Sequence, residues 1–431
     1  MLRSIRSVSI FALILPAVAM AAKPVSCTVV GTAGFTQLGT LNNNSYAGFG
    51  TSLDTRLTTI GGQPVVMAAM GGHVTSDLSS PGQVNVFFLD PGDGTILDGG
   101  PLGQPHLTMN LTERVSMGDL VIADLDANGA LDILIGGRNN AGAWVFLGQL
   151  DGGGTLSYPG AATELPAGEA VDGYGWSIAV SAPVSGYPMI AVGAPALLNG
   201  SSTPGRVILF QYNGSSFVKQ LTIVDPQNAV ANHFGTGVAF GDIDAITGVD
   251  LAVGAMDASG TVSRTAGAGR VYVYSGSVAG SPAILTANVK GEGLGQRTKV
   301  GNLDANAFPD LLAVGKARAL IYPGAVGAPS ATTLLPLAGS MANGFGLASD
   351  IGDVDGDGIG DPIIGAYLAG SGSNCQTGAA YVYLSGSGFA RSTLQPTGVG
   401  QFGHRVAAVD GTRLLLIQAH VNLDVFVYKV N

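Results

Sequence analysis

An aromatic or large apolar residue followed by glycine returns seven times along the chain, at Phe49-Gly50, Met117-Gly118, Tyr174-Gly175, Phe234-Gly235, Leu294-Gly295, Phe345-Gly346 and Phe402-Gly403. The intervals are 68, 57, 60, 60, 51 and 57 residues. Self-similarity at such a period marks a repeat architecture, in which a unit buries its apolar face only against its neighbours. About 18 residues after most landmarks a small-residue turn ends an apolar run: Ala68-Ala69, Gly136-Gly137, Gly193-Ala194-Pro195, Gly254-Ala255, Gly315-Lys316, Gly365-Ala366 and a degenerate Gln418-Ala419. A strand rich in β-branched and aromatic residues follows each, such as Arg270-Val271-Tyr272-Val273-Tyr274. A weaker strand precedes the landmarks, as in Phe217 to Ile223, Phe389 to Gln395 and Phe35 to Leu41.

Each unit therefore reads as four strands. One four-stranded antiparallel sheet cannot cover both of its faces, whereas a ring of sheets packed face to face can. The expected fold is all-β, a seven-bladed β-propeller. The last unit stops after its third strand at Asn431, and the chain begins with an orphan outer strand, Phe35 to Leu41. That N-terminal strand should complete blade 7, because an open ring would leave sheet edges and blade faces exposed. Two unrelated β-sandwiches would give no reason for the matched spacings.

Composition agrees: 67 glycines, 46% hydrophobic and 11% charged residues suit many short strands and tight turns. Arg3 and Arg6, the apolar Val8 to Leu15 and the small-residue site Ala19-Met20-Ala21 read as a secretory signal peptide over residues 1–21, leaving residues 22–431 as one domain. A membrane anchor is the alternative, but Pro16 interrupts the apolar stretch, and a span needs roughly 20 residues. No later segment reads as a membrane span, so the expected location is secreted or extracellular, with periplasm or cell surface for a bacterial host. Loss of Arg3 and Arg6 moves the formal charge from −10 to −12, with 17 basic against 29 acidic residues. Such a balance disfavours nucleic acid and anionic membranes as partners. Cys27 and Cys375 are the only cysteines and are read either as one disulfide or as two free thiols.

The stretch from Asp353 to Asp361 places carboxylates at positions 1, 3, 5 and 9, with glycines at 356, 358 and 360. Oxygen ligands converging from a short loop suit Ca²⁺. An EF-hand would need a bidentate Glu at position 12, which here is Ile364 inside an apolar run, so the loop joins strands. With the Phe-Gly landmarks and Gly193-Ala194-Pro195, the chain resembles the FG-GAP repeat family, the seven-bladed propeller of integrin α subunits and of many secreted bacterial proteins. The resemblance covers essentially all of the mature chain and implies Ca²⁺ in the loop between the first and second strands, held by side chains at positions 1, 3, 5 and 9 and a carbonyl at 7. Blade 2 matches as Asp124, Asp126, Asn128 and Asp132 with the Ala130 carbonyl, and blade 6 as Asp353, Asp355, Asp357 and Asp361 with the Ile359 carbonyl. Blade 5 offers Asn302, Asp304, Asn306 and Asp310, with Ala307 in place of glycine and two formal charges, and should bind more weakly. Blade 4 offers Asp242, Asp244 and Asp250, with Ile246 at position 5 and the glycine displaced to Gly248. Blades 1, 3 and 7 lack the pattern.

No catalytic set stands out. The five histidines, His73, His106, His233, His404 and His420, form no zinc-binding spacing. Ser177 reads as part of a first strand, not as a nucleophile elbow. The glycine-rich stretches 152–154 and 370–372 read as blade turns, not phosphate cradles. Trp144 and Trp176 read as blade packing. Long loops over residues 73–81, 195–205, 256–269 and 367–378 share the face opposite the acidic hairpins, where the resemblance places ligands. The expected function is a secreted, calcium-binding, non-catalytic binding or adhesion module for an extracellular protein or glycan. One alternative is an extracellular hydrolase or lyase at the central channel, which acidic or histidine side chains converging on the channel mouth would favour. Another is a structural matrix or surface component.

Overall fold

The computed structural model describes residues 34–431 apart from 43–48, 74–80, 98–104, 113–116, 138–141, 169–171, 198–202, 247, 259–266, 277–279, 288, 328–335, 339–342 and 371–376. The leader read over residues 1–21, Cys27, Cys375 and much of the four long loops lie outside the described residues.

The described residues form seven four-stranded antiparallel sheets and one small two-stranded hairpin. Blade 3 shows the plan: Ser177–Val184, Tyr187–Ala194, Arg206–Tyr212 and Phe217–Val224 pair in chain order, from the inner strand to the outer. Blade 7 breaks that order as expected. Its strands Phe402–Ala408, Leu414–Ala419 and Asp424–Val430 are joined on the outside by Phe35–Asn42 from the start of the chain. The register runs from Phe35 opposite Val430 to Asn42 opposite Asp424 and closes the ring.

The buried apolar residues fall into seven clusters, one in each seam between neighbouring blades. Val207 and Leu209 of blade 3 pack with Phe234 and Tyr272 of blade 4, and Leu41, Leu414 and Val425 of blade 7 pack with Phe49, Val66 and Phe87 of blade 1. The landmarks take their meaning from these seams. Phe49, Phe234, Leu294 and Phe402 are wholly buried. The glycines let backbones touch across the seam: a Cβ on Gly254 would lie 1.9 Å from the Gly295 carbonyl oxygen, one on Gly365 1.9 Å from that of Gly403, and one on Gly193 2.2 Å from that of Gly235. The two glycine landmarks of the sequence are thus the two halves of one contact. At the closing seam Gln418 stands in place of glycine, and its Nε2 donates to the Phe49 carbonyl (3.0 Å).

One landmark shifts. Ala68-Ala69 lies inside the strand Gln63–His73, and Gly71 pairs with Ser52 as Gly193 pairs with Ser177. Blade 1 therefore carries its seam glycine two residues beyond Ala69, because its second strand is longer than the others. In blades 1 and 3 the inner hairpin closes in two residues, Gly61 and Gly62 (φ 57° and 79°) or Ser185 and Gly186 (φ 55° and 96°). Positive φ at both positions is the type I′ turn that matches strand twist. Such hairpins have no room for an acidic loop, in keeping with the pattern's absence there. Among the described residues no helix is long and apolar enough to cross a membrane.

Candidate metal loops and the central channel

All four acidic loops connect the first and second strands of their blades, for instance Met117–Ala123 to Asp132–Gly137 in blade 2 and Phe345–Gly352 to Asp361–Ala366 in blade 6. Asp124, Asp126 and Asp132 each bring a carboxylate oxygen within 4.8 Å of the others, as do Asp353, Asp355 and Asp361. The loops are shaped by their own carboxylates. In blade 6, Asp353 accepts the N–H groups of Gly356 (2.7 Å), Asp357 (3.0 Å) and Gly358 (2.9 Å), and in blade 2, Asp124 accepts those of Asn128 (3.1 Å) and Gly129 (3.0 Å). At position 5, Asn128 accepts the Ala130 N–H (2.7 Å) and Asp357 the Ile359 N–H (2.8 Å).

Position 9 does more than its motif suggests. Asp132 is fully buried, with the Leu125 N–H donating to Oδ2 (2.7 Å) and the Gly148 N–H to Oδ1 (2.7 Å). The same pair of bonds recurs at Asp250 from Ile243 and Gly276, at Asp310 from Leu303 and Gly324, and at Asp361 from Val354 and Ser385. The acid therefore staples the loop to the exit of the third strand. Position 2 is the apolar counterpart: Leu125, Ile243, Leu303 and Val354 are buried plugs in the seam to the next blade. Burial pushes the Asp132 carboxyl up to about 7 and that of Asp361 to about 6, with neighbouring acids adding to the effect and the backbone bonds opposing it. A cation at the loop would reverse this penalty.

Blade 4, where the pattern departs furthest, forms the third such group, Asp242, Asp244 and Asp250. Asp244 is fully buried, its Oδ1 accepts the Ile246 N–H (2.9 Å), and its Oδ2 has no hydrogen-bond partner among the described residues. A buried carboxylate oxygen without a donor calls for a cation, so these residues fit a hard metal ion despite Ile246. In blade 5 the only carboxylates are Asp304 and Asp310, and Asn306 spends its amide on Asp304 (2.9 Å) and its oxygen on the Phe308 N–H (2.6 Å). The Asn302 carbonyl accepts the Gly360 N–H (2.8 Å) and so ties this loop to that of blade 6.

On the axis, first strands from around the ring enclose a cavity of about 300 Å³. Asp54, Asp119, Asp350, Asp410, Lys299 and Arg56 are among its lining residues. Lys299 Nζ lies 3.0 Å from Asp350 Oδ1. The carboxylates also sew blades together: Asp54 accepts the Ile122 N–H (2.7 Å), Asp119 that of Ile178 (3.3 Å) and Asp350 that of Ala408 (2.9 Å). Desolvation opposes the Lys299 charge, yet Asp350, Asp54 and Asp119 outweigh it and hold the ammonium protonated. Burial raises Asp54 to about 6 against the pull of Lys299.

A carboxylate with a raised folded pKa penalises the fold once ionised, so stability is full below the unfolded value near 3.8 and is lost as pH rises through about 6. Asp54→Asn, which can still accept the Ile122 N–H, is therefore expected to raise stability by about 2 kcal/mol at pH 7.5 and to have almost no effect near pH 4. Paired urea titrations at the two pH values check this; an equal effect at both would refute it.

Ser177 is a buried inner-strand residue whose Oγ donates to the Gly235 carbonyl (2.8 Å). His106 is likewise structural, accepting the Phe88 N–H at Nδ1 (3.1 Å). Trp144 is buried in the seam between blades 1 and 2, and Trp176 is half-buried. The channel charges went unnoticed in the sequence, although Asp54, Lys299 and Asp350 all lie five residues after their landmarks.

No protein-family model matches this chain, and no curated protein matches it in sequence. Among solved structures, the crystal structure of Chaetomium thermophilum Raptor superposes with a TM-score of 0.53 at 10% identity, over 92% of this chain and 29% of that one. The chain thus spans less than a third of that protein's length, and the likeness is one of fold.

Proposed function

We propose that this chain is a secreted, calcium-stabilised FG-GAP-like propeller that acts as a non-catalytic extracellular binding or adhesion module. Three acidic groups in equivalent hairpins support the metal reading, and the unpartnered buried Asp244 Oδ2 carries it. The metal's role is to hold the hairpins; the ring offers a rigid platform on which the opposite face meets an extracellular protein or glycan. A cation that binds only the folded state stabilises it by about 2.7 kcal/mol per site at one hundred times its dissociation constant. Chelator is therefore expected to lower the unfolding midpoint markedly and calcium to restore it, as followed by circular dichroism. An unchanged melting curve in excess chelator would remove the calcium reading. A glycan and extracellular-protein array, run with and without calcium, then tests the binding role.

Convergence of Asp54, Asp119, Asp350 and Asp410 in the channel is the observation that favours a catalytic second reading. Its size weighs against a polymer substrate: about 300 Å³ lies at the lower end of small-ligand pockets, about 300–1,000 Å³.

A further inference from the structure

The sequence holds four Asn-Gly pairs, Asn128-Gly129, Asn199-Gly200, Asn213-Gly214 and Asn343-Gly344. In such a pair the side-chain amide is open to attack by the next backbone nitrogen, because glycine has no Cβ to hinder the approach. Asn199 lies outside the described residues, and the fold treats the other three differently. Asn128-Gly129 is locked into the blade 2 loop. Its Nδ2 donates to the Gly148 carbonyl (2.9 Å) and to Asp126 Oδ2 (3.2 Å), and the Gly129 N–H donates to Asp124 Oδ2 (3.0 Å). At half-buried Asn343 the Tyr367 ring packs on the glycine, 2.4 Å from where a Cβ on Gly344 would lie. Asn213-Gly214 is the reverse case. It opens the turn between the blade 3 strands Arg206–Tyr212 and Phe217–Val224, and residues 213–216 are all exposed. Asn213 Oδ1 accepts the Ser215 N–H (3.0 Å), the Ser215 hydroxyl (2.9 Å) and the Ser216 N–H (2.9 Å). Three donors on one carbonyl oxygen draw charge from Cγ and are placed to hold the oxyanion that forms when a nucleophile adds there. The Asn213 amide nitrogen and the Gly214 N–H have no hydrogen-bond partner among the described residues.

We propose that Asn213 is a site of spontaneous deamidation, promoted by the turn that holds it. The Gly214 nitrogen adds to Cγ of Asn213 and gives up its proton to solvent, Nδ2 leaves as ammonia, and a five-membered succinimide closes. Water then opens one of the two imide carbonyls, to give aspartate or its isoaspartyl isomer, so that one water is consumed and one ammonia released with no change of oxidation state. Either product adds a negative charge to the hairpin. The isoaspartyl form also adds a main-chain carbon between Tyr212 and Phe217, which pair across the turn with their rings 5.1 Å apart.

Peptide mass spectrometry on the full mature chain during incubation at mildly alkaline pH, with and without concentrated urea, tests this. The chain is made in a bacterium, so that the Asn213-Gly214-Ser215 sequon carries no glycan. Each asparagine's rate in urea is its own reference. Asn213 should convert in the folded chain at least as fast as in urea, whereas Asn128 should be slowed by the fold at least about tenfold. Ser215→Ala removes the hydroxyl donor from an exposed turn; it should slow Asn213 several-fold in the folded chain and leave its rate in urea unchanged. The proposal is overturned if the fold slows Asn213 relative to urea, if it protects Asn213 and Asn128 equally, or if Ser215→Ala converts as fast as the parent.

Discussion

Gly365→Ala is expected to destabilise the ring by about 3 kcal/mol or more, although alanine in place of a glycine inside a strand ordinarily gains about 0.5–1 kcal/mol. The added carbon would lie 1.9 Å from the Gly403 carbonyl oxygen and 3.0 Å from its carbonyl carbon, all backbone of the next blade. No side-chain rotation relieves that contact, and Gly403 itself sits at φ +83°. Blade 7 would have to swing away from blade 6 and open the cluster that holds Val382, Phe402 and Ile417. Gly254→Ala meets the same geometry against Gly295 and should cost as much. Gly160→Ala is the control, since a Cβ there meets nothing within 4 Å and the backbone is ordinary; it should leave stability unchanged or slightly raised. Urea titration of the three variants measures the contrast, and equal midpoints would show that the seam glycines are not the contact that sets the repeat.

That contact explains why the fold was legible. Each seam demands a buried apolar residue, a glycine beside it and a glycine on the neighbour, so the same residues return wherever the chain builds a blade. Where the geometry varies, the signal weakens. Gln418 replaces the seam glycine at the closure because its amide reaches the Phe49 carbonyl instead. The outer strand of blade 2 is only Thr163–Glu164, preceded by a small hairpin of Gln149–Leu150 and Leu156–Ser157, and no alternating run announces it. The acidic loops were visible through their odd positions, but the Asp244 oxygen left without a donor was not, since that depends on how the blade 4 turn places its N–H groups. The channel was hidden for a topological reason. Asp54, Lys299 and Asp350 lie in three separate strands, at the position where the other blades carry Ile122, Ala179, Ala239 or Ala407, and only ring closure brings them together.

The loops separate two jobs that the motif runs together, and Asp132→Ala tells them apart. If position 9 served only as a ligand, its loss would matter only when metal is present. The buried carboxylate instead receives two backbone N–H groups at 2.7 Å, from Leu125 and Gly148. Alanine would leave both donors buried and unpaired, each at about 1–3 kcal/mol, so a loss of about 3–5 kcal/mol is expected in chelator alone. Calcium should add a further deficit, because the same residue belongs to the three-carboxylate group. Asp126→Ala is the complement: it receives one long backbone bond, from Asn128 (3.2 Å), and is only half-buried. It should be near neutral in chelator and lose most of the calcium-dependent gain. Asp132→Asn should fall between, since one amide oxygen can accept from Leu125 or Gly148 while the amide nitrogen faces the other donor. Unfolding midpoints of the three variants, each with calcium and with chelator, decide the matter. A full-sized loss for Asp132→Ala only in calcium would return position 9 to the role of ligand alone.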